Sequence, residues 1–518
     1  MSYPTTTIDR TPILTAEERR EFEGYEFPFE NLALQGGGSK GMAYLGTIRV
    51  LEEVGITKNL RRFSGASVGA MMAAFVALGY DSFEMEEMFS FNVSALFTDA
   101  KFGLIGAGMN LYRKMGANPA HKLTKYFYDR IQNKFGNPEL TFQQLYNETG
   151  RELCLTAVSL NRMDSEYLHV KTTPDMPICM AIRASTSVPG LMMPVKYKVM
   201  SKEQDVFVDG GILHNYPVNC FDGWYLSLDQ ENSFLRRFRD VFSVTDRFDG
   251  FNDKSIGAVL YSEDEAETFK AAMEERVKKY TTPGDAIPVP DTRRSRKRKQ
   301  SAEEKSKLSD ASRRALTKFV ALLKSYDKDD SGTISREEFK ESIEGAAEFF
   351  TEDDAKLLFC CDCASPDAIF DSLDINGNGE VPIEFSELLS FAEKKGVDMM
   401  EALRGFERLG DITNITGLFT ALVQTLLVNA NRMSFKDADI DRTIGVNTGY
   451  LGSADFLMEP EDRKYMIQCG KMGAVYFLRE YIQKHGLQKR ITGTHATEDD
   501  VTTTNGGASA AASPLTAK

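Results

Sequence analysis

Only five histidines occur in 518 residues, at 121, 169, 214, 485 and 495, and none stands in a context that marks a catalytic triad member. A proton acceptor for nucleophilic chemistry must then come from another side chain. Long hydrophobic runs are equally scarce. The longest, GLFTALVQTLLV at 417–428, is broken by Gln424 and is too short to span a bilayer, so it reads as a buried core helix. The first residues hold neither a basic n-region nor an apolar h-region, which predicts a cytoplasmic chain without a transmembrane segment, any membrane contact being peripheral. The seven cysteines are odd in number and mostly scattered, a pattern of reduced thiols rather than disulfides; the cluster Cys360, Cys361, Cys363 lacks a second Cys/His pair at zinc spacing. Positive charge is in deficit, with 62 Lys and Arg against 76 Asp and Glu. The net −14 excludes general nucleic-acid binding. One island runs the other way: Arg293, Arg294, Arg296, Lys297, Arg298 and Lys299 follow the proline-bearing TTPGDAIPVP. It reads as a solvated flexible linker, with attraction to anionic lipid or a nuclear address as alternatives.

What is present is an alternation of short apolar runs with helical patterns from about 29 to 263, such as NLALQ before MAYLGTIRVLEEVG and RRFSG before VGAMMAAFVALG. That is the pattern of an α/β sheet domain. From about 264 to 404 the sequence turns charged and helix-rich. RTIGVNTG at 442–449 then stands as a lone strand candidate. One strand cannot satisfy its own backbone groups, so it is expected to join the earlier sheet, with the middle region an insertion. The predicted division is an N-terminal extension at 1–28, sheet-domain parts at 29–263 and 405–485, a linker with the basic cluster at 264–311, a helical insert at 312–404 and a disordered tail at 486–518.

Two stretches fit G-x-S-x-G, the spacing that holds a serine on a sharp strand-to-helix turn. One centres on Ser67 in RFSGASVGA, the other on Ser39 in QGGGSKG. Acyl transfer needs a nucleophile, a base and donors aimed at an oxyanion. Gly36, Gly37 and Gly38 suit the donor role through their amides, and Ser67, among small neighbours, suits the nucleophile role. Ser39 reads as a small polar residue inside the glycine loop. Asp209 ends an alternating strand in DVFVDGGILHNYP and is the better candidate base, although Asp-Gly after a strand, read alone, is a hairpin turn.

Taken in order, the glycine loop, the elbow and Asp-Gly-Gly resemble the patatin-like phospholipase family, serine hydrolases that use a Ser-Asp dyad without histidine. The resemblance extends to IRASTSVPGLMMPV at 182–195 and to the segment from Asp437 to Gly470, and covers roughly 29–263 and 405–485. It implies a patatin-like three-layer α/β fold. Ser67 would be the nucleophile, Asp209 the general base, and Gly36, Gly37 and Gly38 the oxyanion hole. His214 has no role in that pattern and reads as a pocket wall. The implied activity is hydrolysis of phospholipid or acylglycerol esters at a membrane or lipid-droplet surface. An acyltransferase using the same dyad, and an inactive calcium-dependent membrane adaptor, remain open. Residues 93–116, with Phe97, Phe102, Leu104, Ile105 and Met109 among glycines, fit either a lipid-facing cap or core packing.

Within the insert, YDKDDSGTISREEF offers Asp327, Asp329, Ser331, the Thr333 carbonyl, Ser335 and Glu338 at loop positions 1, 3, 5, 7, 9 and 12, with Gly332 at the sharp turn. This resembles an EF-hand and implies Ca2+. A second copy, LDINGNGEVPIEF, has Asp374, Asn376, Asn378 and the Glu380 carbonyl in register. It then departs, with Pro382 at position 9 and Glu384 one residue early, which puts its metal binding in doubt. The expected insert is an all-α EF-hand pair.

Overall fold

The computed structural model describes residues 9–490 except 90–93, 101–102, 200–202, 241–242, 244–245, 264–268 and most of 301–434. The described strands are β1 (Asn31–Leu34), β2 (Arg62–Gly65), β3 (Gly116–Asn118), β4 (Glu152–Ser159), β5 (Asp164–Leu168), β6 (Gly190–Met192), β7 (Val195–Tyr197), β8 (Asp205–Asp209), β9 (Ser255–Tyr261), β10 (Thr333–Ser335), β11 (Glu380–Pro382) and β12 (Thr443–Asn447). Eight of them form one mixed sheet in the order β12-β9-β1-β2-β4-β8-β7, with β5 paired to β4 off that path. From β12 to β4 the neighbours run parallel, whereas β8, β7 and β5 pair antiparallel. Strands β4 and β9 are buried at every position, as expected of strands covered on both faces.

The strand expected at 442–449 pairs with β9, Thr443 opposite Gly257 and Asn447 opposite Tyr261. Chain on both sides of the insert therefore builds one sheet. The helix Pro460–His485 packs against the helix Tyr44–Glu53, where Thr47 Oγ1 donates to the Gly470 carbonyl at 3.0 Å. The N-terminal stretch joins the same core: Phe22, Phe27 and Phe29 are buried, and Glu18 pairs with Lys471 at 2.8 Å.

Two expectations change. The segment 264–311, read as a linker whose basic island is solvated and flexible, contains a helix, Lys270–Tyr280, whose buried Arg276 donates to the carbonyls of Thr443 at 2.6 Å and Ile440 at 2.9 Å and pairs with Glu480. Residues 293–300 are also helical, and Thr292 Oγ1 before them donates to Asp462 at 2.8 Å. A run of arginines reads as solvated, but the small residues Thr292 and Ser295 within it are buried and dock it. The stretch 417–428, read as a buried helix, leaves Leu418, Leu422 and Leu426 exposed while Ala421 and Ala430 are buried. Among the described residues here, Ala421 faces inward and Leu418, Leu422 and Leu426 outward.

The insert, expected to be all-α, also contains a two-stranded antiparallel ribbon of β10 and β11, with Ile334 opposite Val381. Phe339 contacts Phe319 and Phe370 at ring separations of 6.2 and 5.6 Å. The cluster Cys360, Cys361, Cys363 lies outside the described residues.

A chain ending at residue 404 loses β12 and the helix Pro460–His485, leaving the β9 edge and the Tyr44–Glu53 helix without their partners. Its urea unfolding is expected to show no cooperative transition. Arg276→Ala in the full chain is expected to fold but to lose about 3 kcal/mol, because Glu480 and two carbonyls are left without their donor.

Candidate active site

β2 stops at Gly65, and the helix Val68–Ala77 begins three residues later. Between them Ser67 takes φ 50° and ψ −124°, a conformation that costs a residue with a side chain about 1–3 kcal/mol. Packing over-determines the turn. A Cβ on Gly69 would lie 2.1 Å from the Leu34 carbonyl oxygen, so only glycine lets the helix start press on the end of β1. The Ser67 amide donates to Ser185 Oγ at 3.1 Å, which fixes the serine from the opposite side.

Strand register brings Asp209 to that serine. Gly65 of β2 pairs with Leu155 of β4, and Ala157, two residues on, pairs with Asp209 at the end of β8. Ser67, two residues beyond Gly65, is therefore level with Asp209 across β4. Ser67 Oγ donates to Asp209 Oδ2 at 2.7 Å. The hairpin suggested by Asp-Gly does not form; the chain turns instead through a 3-10 segment, Gly210–Ile212, whose Gly211 amide donates to Asp209 Oδ1 at 2.8 Å. The Asp209 amide donates to the Ser187 carbonyl at 2.9 Å. Ser187 Oγ in turn meets the buried Arg183, which also donates to the Met193 carbonyl at 2.6 Å. Burial pushes the Asp209 carboxyl up to about 7, against the opposing pull of the Ser67 and Gly211 hydrogen bonds. A carboxylate tuned near neutrality is a far better match to a hydroxyl proton than an ordinary aspartate.

The glycine loop needs one correction. The Gly36 amide donates to the Asn215 carbonyl at 3.1 Å and the Gly36 carbonyl accepts from Asn215 Nδ2 at 3.2 Å, so Gly36 clamps the loop and is not an oxyanion donor. The amides of Gly37 and Gly38 have no acceptor among the described residues. Gly38 sits at φ 56°, and a Cβ there would lie 2.3 Å from the Ser453 carbonyl oxygen. Ser39 is committed to scaffolding, with its amide on the Ser453 carbonyl at 2.9 Å and its Oγ on the Gly452 carbonyl at 2.8 Å. Sequence reasoning missed Ser185, Asn215 and Arg183. Their residue types carry no signal, because each acts through geometry across the fold.

Ser67 lies in a cavity of about 1020 Å³ whose apolar lining includes Met71, Met72, Phe89, Phe97, Val188 and Leu191. Phe97 reaches it from the candidate cap and packs on Phe456 at 5.5 Å between ring centroids. Farther along that stretch Met109, Leu111 and Tyr112 are exposed. Phe102 and the side chains of Leu104 and Ile105 lie outside the described residues. His214 is not among the lining residues, contrary to its reading as a pocket wall. It is buried with its ring edge-on to Tyr167 at 5.5 Å, and burial lowers its pKa to about 4.

Of the calcium-loop residues, Asp327, Asp329, Ser331, Asp374, Asn376 and Asn378 lie outside the described residues, and Thr333 and Glu380 are placed as opposed ends of the β10–β11 ribbon. Glu338 Oε2 accepts from the Ser335 amide at 3.0 Å and from Ser335 Oγ at 2.8 Å. Among the described residues no group of three or more metal-binding side chains occurs. The oxygen-only donor set and the strand pairing that ties one loop to the other fit a hard divalent cation.

Residues 32–222 match the family of patatin-like phospholipases. The chain also resembles an uncharacterized protein of Acanthamoeba polyphaga mimivirus, 32% identical over 38% of this chain and 63% of that protein. A probable lipid hydrolase of Invertebrate iridescent virus 6 is 22% identical over 37% of this chain and 62% of its own length. A triacylglycerol lipase of Arabidopsis thaliana is 30% identical over 40% of this chain and 24% of its own length. The chain spans less than two thirds of the length of each of these relatives.

The raised Asp209 pKa has a stability consequence with a definite sign. The folded state holds the proton up to about pH 7 and the unfolded state releases it near 3.8, so this site's contribution is full below the lower value and is lost as pH rises through the upper one. Asp209→Asn, which cannot ionise, is expected to melt roughly 2–5 °C above the unsubstituted protein near pH 7.5, the gap closing toward pH 4, as read by calorimetry.

Proposed function

We propose that the chain is a lipid acyl hydrolase that cleaves carboxylic esters through a serine acyl-enzyme, at a membrane or lipid-droplet surface. The observation that carries this reading is the 2.7 Å contact of Ser67 Oγ, which lines a cavity with an apolar wall, with the buried Asp209 carboxylate. Ser67 Oγ attacks the ester carbonyl and passes its proton to Asp209. The negative charge that develops on the carbonyl oxygen is met by the Gly37 and Gly38 amides. Asp209 then returns the proton to the departing alcohol, leaving the acyl group on Ser67. In the second half Asp209 takes a proton from water, whose oxygen attacks the acyl-enzyme carbonyl; the Ser67–acyl bond then breaks, the fatty acid leaves, and Asp209 returns the proton to Ser67 Oγ. No helix among the described residues is long and apolar enough to cross a membrane, so substrate is reached from the surface, for which the exposed Met109, Leu111 and Tyr112 are suited.

Ser67→Ala and Asp209→Asn are each expected to lower hydrolysis of a fatty-acyl ester by about 10⁴-fold or more, whereas Ser39→Ala keeps more than about a tenth of the activity. Only the carboxylate form of Asp209 accepts a proton, so kcat/KM should rise with pH through an ionisation near 7. An active Ser67→Ala protein with an inactive Ser39→Ala protein would reverse the assignment.

Calcium belongs to the same proposal as a regulator outside the chemistry. Asp327, Asp329, Ser331, the Thr333 carbonyl and Glu338 would hold the ion at the first loop, where it supplies the charge that draws these oxygens together. Asp374, Asn376, Asn378 and the Glu380 carbonyl offer an incomplete second set. Opening of the flanking helices acts on the sheet domain to the extent that the ion favours one arrangement over the other. Glu338→Gln is expected to weaken calcium binding at least tenfold by titration calorimetry and to blunt any calcium effect on lipid hydrolysis. Equal hydrolysis and vesicle partitioning of the unsubstituted protein in micromolar calcium and in chelator would overturn the regulatory role.

A further inference from the structure

The cavity at Ser67 is lined by two chemically opposite sets of residues. One is the apolar wall of Met71, Met72, Phe89, Phe97, Val188 and Leu191; the other carries Arg293, Arg294, Arg296, Lys297, Arg298 and Arg463, offset by Glu459 and Asp462. A concentration of cations on a chain of net charge −14 is not a sample of its average surface.

The basic segment is built into this position. Thr292 and Ser295 are buried and bond to each other, the Thr292 amide to Ser295 Oγ at 3.0 Å and the Ser295 amide to Thr292 Oγ1 at 3.1 Å. Thr292 Oγ1 reaches Asp462 at 2.8 Å, and the Arg293 amide reaches Glu459 Oε1 at 3.1 Å, both at the start of the helix Pro460–His485. Arg294 pairs with Asp455, which fixes one guanidinium to the scaffold. Arg296 meets Asp291 at 3.3 Å in a pair exposed by 64% and 84%, too wet to hold the charge against a better ligand. The docking bonds therefore hold the backbone in place, with the exposed Arg296, Lys297 and Arg298 lining the cavity.

We infer that the 293–298 segment is a recognition rim for the phosphate of an anionic phospholipid, with the apolar wall taking the acyl chain; this rests on Ser67 being the nucleophile of a lipid hydrolase. In a glycerophospholipid the scissile ester lies between phosphate and acyl chain. Ser67 lines the same cavity as the rim and the wall. The volume of about 1020 Å³ is at the upper end of small-molecule sites, as an acyl chain with a headgroup requires. Arginine is suited to the task, since its planar fork grips phosphate oxygens in pairs.

The test uses the full chain and short-chain lipids below their micellar concentration, so that attraction to a charged bilayer plays no part. Dihexanoyl phosphatidic acid and dihexanoyl phosphatidylglycerol are expected to be hydrolysed with kcat/KM at least tenfold above dihexanoyl phosphatidylcholine. Arg296→Glu/Lys297→Glu/Arg298→Glu is expected to reduce that ratio to near one, and the charge-keeping Arg296→Lys/Lys297→Arg/Arg298→Lys to retain it, with melting temperature recorded for both. Equal hydrolysis of anionic and zwitterionic lipids, or an anionic preference that survives charge reversal, overturns the rim. Strong competition by glycerol 3-phosphate, which has the anion without an acyl chain, would assign the rim to a soluble phosphate ester and overturn the lipid assignment. If the protein hydrolyses no lipid and Ser67→Ala changes nothing, the failure lies with the hydrolase reading itself, a result distinct from an active enzyme without headgroup preference.

Discussion

The contact between Ser67 and Asp209 joins two strands that are not neighbours, and this constraint governs the fold around it. β4 lies between β2 and β8, so the pair meets only if two registers agree, one parallel and one antiparallel. A slip of one residue in either would turn the strand's side chains to the other face and separate the two groups. The reversal of β8 against an otherwise parallel run of strands is thus what brings an aspartate at a strand end level with a serine just past another strand end. Water exclusion follows from the same placement, and with it the basicity of the carboxyl.

Such a site is held against its own energetics. A serine at positive φ and an aspartate without solvent are both unfavourable, and the surrounding bonds keep them in place. Ser185 and Gly69 fix the serine; Gly211 and the Ser187 carbonyl fix the aspartate. Farther out, Arg276 ties β12 to two helices, and Thr47 bonds the helix Tyr44–Glu53 to the helix Pro460–His485.

Much of this was legible in the sequence where a residue's conformation or periodicity is local. The small residues around Ser67 and the alternating strand ending at Asp209 announce a tight elbow and an acid at a strand end. The lone apolar run near Thr443 had to find a sheet because its backbone groups needed partners. What stayed hidden depends on distant partners. Nothing local to Gly36 says that its amide is taken by Asn215, nothing in RASTS singles out Ser185 as the acceptor for the Ser67 amide, and Thr292 and Ser295 look like ordinary polar residues until Asp462 is beside them. Leu418, Leu422 and Leu426 show the converse: hydrophobic content pointed to a helix, but not to which side would be covered.

Gly452 and Ser453, which brace the glycine loop, lie just after β12, and the cationic segment lies just before the insert. The Ser67–Asp209 pair, by contrast, is complete by residue 209. The chain thus divides its parts: the earlier part supplies the Ser67–Asp209 pair, and the two flanks of the inserted region brace the glycine loop and line the cavity. A change in the borders of the insert can remodel the cavity lining while the Ser67–Asp209 contact stays where it is.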